Sequence, residues 1–309
     1  MSPKPKEITD DHIHSFAGYS ALDIKPESFL LEPWLVSPSY NLLVAKRGLG
    51  KSWFSLAVGI AVASGTHVMQ WEAPEPRKVL YIDGEMSPRQ LQDRLKDMTG
   101  GLEHIDENLL IMSVPHLVRC GHEPPSFTLK AWRTQLELYI SRHQDIALVI
   151  FDNVSCLFAG LDENDKKAWD EPNAFLVRLR SCGISTIVVH HTGKEGSKGQ
   201  RGSSSREDHV DVSLRLSGVP GHDPSKGCKL VTHFSKARSV HGEAIAPMQM
   251  DLAHENGRLQ FIEGEATLLQ KEIMEEIGCG TSYRDVAKKL SCSVRYVNTT
   301  AKRYKDVGF

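Results

Sequence analysis

The residues best placed to do chemistry stand in one run, Ala45-Lys46-Arg47-Gly48-Leu49-Gly50-Lys51-Ser52. A primary ammonium beside a hydroxyl, reached through a short loop with two glycines, has the composition of a phosphate cradle. Gly48 and Gly50 let successive backbone N–H groups turn toward one anion, and a helix opening at Lys51 adds its positive end. Lys51 would reach the β- and γ-phosphate oxygens of a triphosphate, and the Ser52 hydroxyl would ligate Mg2+. Together Ala45 to Trp53 would border the nucleotide. The run departs from G-x-x-x-x-G-K-[ST] at one position, where Ala45 replaces the first glycine. A methyl group fits there if the residue keeps a negative φ.

Three further polar groups close apolar runs. Lys78 to Ile82 (KVLYI) ends in Asp83-Gly84-Glu85-Met86, and Glu85 is the candidate base that orients an attacking water. Ile146 to Phe151 (IALVIF) ends in Asp152. A strand buried on both faces that delivers one carboxylate to its carboxyl end is the Walker B pattern, and Asp152 would help to hold the Mg2+ shell. Ile184 to Val189 leads into His190 and His191, and His191 is the candidate sensor of the γ-phosphate. His116, Cys120 and His122 have loosely metal-like spacing without a fourth ligand, and His12 and His14 lie in a polar tail. The first set reads as an ordinary loop and the second as a solvated tail.

Two later segments carry cations. Residues 193–208 (GKEGSKGQRGSSSRED) form a long, basic loop whose Lys194, Lys198, Arg201, Ser203, Ser204 and Arg206 suit a sugar–phosphate backbone. Lys236 and Arg238, two residues apart on an extended segment, project to one side and could reach the nucleotide of a neighbouring subunit. Near the C-terminus, Ser282 and Ser293 are candidate N-caps. Val286, Ala287, Leu290, Val294 and Val297 form the apolar seam expected of a helix-turn-helix. Arg295, Lys302 and Arg303 leave its last helix basic, and duplex DNA is its candidate partner.

The elements that must position these groups follow from periodicity. Buried strands alternate with helices over roughly residues 40–191, which describes a parallel, doubly wound sheet. From His209 the pattern turns to short alternating strands (209–216, 228–234, 244–250, 258–262), read as antiparallel edge strands. Helices are expected over 266–278, 283–290 and 294–304. The expected organisation is therefore an arm over 1–33, an α/β domain over 34–264 and a small all-α unit over 265–309. Composition is ordinary for a water-soluble protein, with 25% charged residues, a net charge of −2 and 309 residues. No apolar run reaches the length of a membrane span, and the six cysteines contain no CxxC pair. Reduced thiols and a cytoplasmic location are expected.

The ordered set AKRGLGKS, DGEM, IALVIFD, HHTGK, RGSSSRED and KAR resembles the RecA-like ATPases. More narrowly, the chain resembles RepA-type hexameric replicative helicases and related AAA-family ATPases of plasmids, phages and mobile elements, over roughly residues 34–264. The resemblance implies a RecA-like P-loop core: a mostly parallel twisted sheet with antiparallel edge strands. It also implies ATP and Mg2+ as cofactors, single-stranded DNA as partner and a homo-oligomeric ring or filament. Glu85 then activates water, Asp152 is the Walker B carboxylate and His191 the sensor. Arg201 to Ser204 face the DNA, and Lys236 and Arg238 enter the neighbour's site. The C-terminal helices fall outside the resemblance. A recombination ATPase of the RecA/RadA kind, or an ATP-gated DNA-binding regulator, remain alternatives to a helicase.

Overall fold

The computed structural model describes residues 9, 13–24, 26–162, 165, 167–191, 209–223, 225, 227–238, 240–264, 266 and 268–304. A nine-stranded sheet forms its centre. In chain order its strands are β1 (Tyr40–Ala45), β2 (Lys78–Asp83), β3 (Leu109–Ser113), β4 (Ile146–Asp152) and β5 (Ser185–His191), followed by β6 (Val212–Gly218), β7 (Lys229–Ala237), β8 (Met248–Glu255) and β9 (Arg258–Glu263). In space they run β9-β8-β7-β6-β1-β5-β4-β2-β3. Strands β3, β2, β4, β5, β1 and β6 are parallel neighbours, and β7, β8 and β9 extend the sheet antiparallel. This is the mixed α/β, RecA-like P-loop core expected from the sequence.

The uninterrupted apolar runs become the central strands because both of their faces are covered. Every residue of β1 and β4 is buried. One face packs under α1 (Lys51–Ser64), which is apolar on nearly all sides and is buried along most of its length. Helix α1 sits so close to β4 that a Cβ on Gly59 would lie 3.1 Å from Ile150 Cδ1, which explains a glycine in mid-helix. Helix α2 (Pro88–Thr99) starts with a capping box between Ser87 and Gln90 and has Pro88 in its first turn. The opposite face carries α3 (Lys130–Arg142) and α4 (Asp170–Ser181), with Phe127, Phe151, Phe158 and Phe175 packed between them and the sheet.

Four features differ from the sequence expectation. Residues Ser28–Leu31 pair with Leu35–Ser37 as a ribbon, and Leu30 and Leu31 are fully buried beneath it. Part of the arm expected over 1–33 is therefore core; ahead of the ribbon, Phe16 and Tyr19 are exposed on the short helix Phe16–Ser20. Strand β6, expected at an antiparallel edge, is internal and pairs parallel with β1, because its buried alternate residues continue the central face. The strand expected over 244–250 begins only at Met248, after a helical turn at Gly242–Ile245 that Pro247 follows. Finally, Val294 is 44% exposed and lies outside the apolar seam of the C-terminal helices.

Those helices are α5 (Leu268–Gly278), α6 (Tyr283–Lys289) and α7 (Val294–Arg303). Ile273, Val286, Ala287 and Val297 form a small apolar cluster of their own, with Ser282 and Ser293 as side-chain N-caps. A buried hydrogen bond from Gln270 Nε2 to Gln249 Oε1, 2.7 Å long, ties α5 to β8. Among the described residues, no helix is long and apolar enough to cross a membrane.

Candidate functional site

Register brings the strand ends that carry the predicted groups together. Ala45 pairs with His191, Asp152 with Val189 and Asp83 with Asp152, so the carboxyl ends of β1, β5, β4 and β2 finish side by side. In a parallel sheet those ends form one crevice, the usual place for a ligand in an open α/β fold. The loop after β1 opens into it. Ala45 is a buried strand residue without positive φ, so its methyl causes no strain in the loop.

The loop turns where glycine is needed. Gly48 and Gly50 have φ of 74° and 95°. A Cβ on Gly50 would also lie 2.4 Å from the Cys228 thiol sulfur, so a side chain is barred there twice over. Lys46 and Arg47 are exposed on the outside of the turn, and Leu49 packs inward against the core. Lys51 Nζ donates to the Lys46 carbonyl at 2.8 Å, which folds the ammonium over the loop. Burial pushes the Lys51 pKa down to about 8 against the pull of Asp152 and Glu85.

Asp152 is the hub of the site. Its Oδ2 accepts from Tyr81 OH at 2.5 Å and from Ser55 Oγ at 3.2 Å, and Ser52 adds a further side-chain hydrogen bond. Burial raises the pKa of Asp152, and these donors oppose that shift. Glu85, beside it, stays open, with its side chain 63% exposed. Asn153 Nδ2 donates to Glu85 Oε2 at 2.5 Å, and His191 Nε2 lies 3.9 Å from the same oxygen. Burial and then Lys51 lower the pKa of His191. His190 turns to the other face of the sheet, near Trp169.

Several members of this constellation were missed by sequence reasoning. Tyr81 stands two residues before Asp83 on the same strand face, and Ser55 one helical turn after Ser52. Both spacings were visible, but their shared target depends on strand order. Arg94 of α2 stacks over Trp53, 4.1 Å from the ring centroid, and feels the charges of Asp83 and Asp152. Asp83 is 1% exposed, its Oδ1 accepts from the Met86 amide at 3.2 Å, and its Oδ2 has no partner among the described residues. Burial raises the Asp83 pKa to about 7. Ser52, Ser55, Asp83 and Asp152 are all hard oxygen donors, and one buried carboxylate oxygen is unmatched. That set fits a Mg2+ ion that keeps part of its water shell.

Lys236 and Arg238 lie elsewhere. Ala237 pairs with Val212 and Val212 with Asn41, so the end of β7 is level with the start of β1, at the end of the sheet away from the loop. Arg238 Nη1 lies 3.2 Å from Asp211 Oδ1, and Arg180 Nη1 reaches both Asp211 oxygens at 3.1 and 2.9 Å. The bulged Ser235 bonds back to Ser213 just before this turn. Lys194, Lys198, Arg201, Ser203, Ser204 and Arg206 lie outside the described residues, as does the side chain of Arg303. Arg295 and Lys302 are exposed on α7, and the charge of Arg295 reaches His233 of β7.

A family model described as an AAA domain matches residues 3–197, which is more than half of the chain and includes the loop, Glu85, Asp152 and His191. No curated protein matches the chain. With the cradle at the head of a buried helix and the acidic strand ends beside it, the chain belongs to the AAA domain family of P-loop ATPases.

Proposed function

We propose that the chain is an ATP-dependent, oligomeric DNA motor of the RepA-type helicase kind, hydrolysing MgATP between subunits. One observation carries this reading. The phosphate loop, Glu85, Asp152 and His191 gather at one end of the sheet, while the cations Lys236 and Arg238 stand at the other. A head-to-tail neighbour would bring the second set against the first, so that each site is shared by two chains.

In this reading Lys51, Ser52 and the loop amides hold the triphosphate, with Asp152 oriented by Tyr81 and Ser55. Mg2+ bound there would neutralise charge on the β- and γ-oxygens. Glu85, held by Asn153 but open to solvent, orients the attacking water. Lys236 and Arg238 of the adjacent copy stabilise charge as the γ-phosphate leaves. His191 responds to that loss and passes it to the basic loop at 193–208, the candidate contact for single-stranded DNA.

The test is to measure mass and ATPase rate together, with and without single-stranded DNA, and then strand displacement on a forked duplex. A ring-sized assembly with stimulated turnover and displacement is expected; an unstimulated monomer would end the motor reading. The separate apolar cluster under α6 and α7, with Arg295 and Lys302 exposed beside it, favours a second reading as an ATP-gated DNA-binding regulator. Slow turnover, with sequence-specific duplex binding that survives deletion of residues 194–206, would select it.

A further inference from the structure

Asp83 and Asp152 end neighbouring parallel strands and pair directly in register. Directly paired residues project to the same face of a sheet. Tyr81, two residues before Asp83 on that face, confirms the geometry by donating to Asp152 Oδ2. The two carboxyl groups thus stand side by side under α1, yet they are treated differently. Asp152 receives side-chain hydrogen bonds from Tyr81, Ser55 and Ser52. Asp83 is held by backbone donors alone, the Met86 amide to Oδ1 and Glu85, while its Oδ2 is buried and unmatched among the described residues. A buried carboxylate oxygen without a donor is costly, and a second carboxylate beside it adds repulsion. The nearby cations do not ion-pair with it: Lys51 is turned onto the Lys46 carbonyl and Arg94 onto Trp53.

We propose that Asp83 is the second carboxylate of the Mg2+ site, its Oδ2 accepting a hydrogen bond from a water of the metal's shell beside Asp152. This rests on the MgATP reading above. Mg2+ sheds water reluctantly and is commonly held through one or two carboxylates together with substrate phosphates. Asp83 is thus a positioning residue: it orients the shell, and Glu85 remains the group that addresses the attacking water.

The test uses the full chain, a fluorescent ATP analogue in EDTA to report nucleotide binding without metal, and Mn2+ as the metal probe, followed by electron paramagnetic resonance with ATP present. Asp83→Asn should bind the analogue in EDTA within about twofold of the wild type, yet need about tenfold more Mn2+ for half-saturation, the scale found when a group behind a metal ligand is removed. Its melting temperature without metal should stay level or rise, because a buried unmatched charge has gone. Unchanged Mn2+ affinity, with nucleotide binding intact, would overturn the role of Asp83 and leave the MgATP reading standing. Failure of the wild type itself to bind the analogue or Mn2+ would overturn both. Asp83→Ser, which keeps an oxygen on a shorter side chain, is the second variant. If both variants unfold, Asp83 holds the fold and the inference is wrong.

Discussion

The two ends of the central sheet handle charge in opposite ways. At the amino end, Asp211 is saturated: Arg180 and Arg238 bind its carboxylate, and the Tyr40 amide donates to Oδ2 at 2.9 Å. At the carboxyl end, Asp83 Oδ2 and His191 Nδ1 are buried without partners among the described residues. Lys51 is held below its ordinary pKa by burial. A saturated cluster stabilises the fold as it stands, whereas an unsaturated one costs free energy until something else arrives. The unmatched end is where a charged ligand would restore the balance, and the matched end reads first as a clasp between β1, β6 and α4.

That contrast can be broken by experiment. Glu85→Gln should lower turnover by about 100- to 10,000-fold, the range for removal of a general base, with nucleotide affinity and melting temperature little changed. Lys51→Ala should weaken binding of the ATP analogue by about 100-fold without lowering the melting temperature, since the ammonium is poorly solvated in the free protein. A large fall in stability for either variant would mean that the carboxyl end is built like the amino end.

Asp211→Ala should do the reverse. It strands two guanidinium groups and should cost about 2 kcal/mol, or a drop of about 4–8 °C in melting temperature, while leaving analogue affinity within about twofold. Loss of affinity with no loss of stability would remove the distinction. The smallest effect concerns His191, whose folded pKa is lowered by burial and by Lys51. The neutral ring is favoured, so its contribution is present above the unfolded value near 6.5 and is lost as pH falls through the lower folded value. Between pH 7 and 5.5, His191→Gln should therefore lose less melting temperature than the wild type.

Much of the carboxyl end was legible because each strand buried on both faces shows an unbroken apolar run, and a polar residue that ends such a run stands out. Asp152, Glu85 and His191 announced themselves in this way, and two glycines before Lys51 announced the loop. Tyr81 and Ser55 did not, because their meaning depends on β2 lying beside β4 and on α1 crossing both; Asp83 also ends such a run, but its place beside Asp152 rests on the same strand order, a non-local fact. The parallel pairing of β6 with β1 was hidden for the same reason, since alternation gives a strand its faces but not its neighbour. Val294 was misplaced because it is the first residue of its helix, and the apolar cluster is reached only by Val297, three residues on.

The order β5-β1-β6, with all three strands parallel, sets a distance the chain must cover. It leaves the sheet at His191 beside the phosphate loop and re-enters at Val212, level with Asn41 at the far end. A strand the length of β1 spans about 17–20 Å at roughly 3.3 Å per residue. The described residues at the two ends of this connection stand in the contrasting regions: His191 beside Glu85, and the clasped Asp211. The strand before it and the strand after it are thus fixed in different surroundings, one among unmatched groups and the other by the carboxylate that holds Arg238.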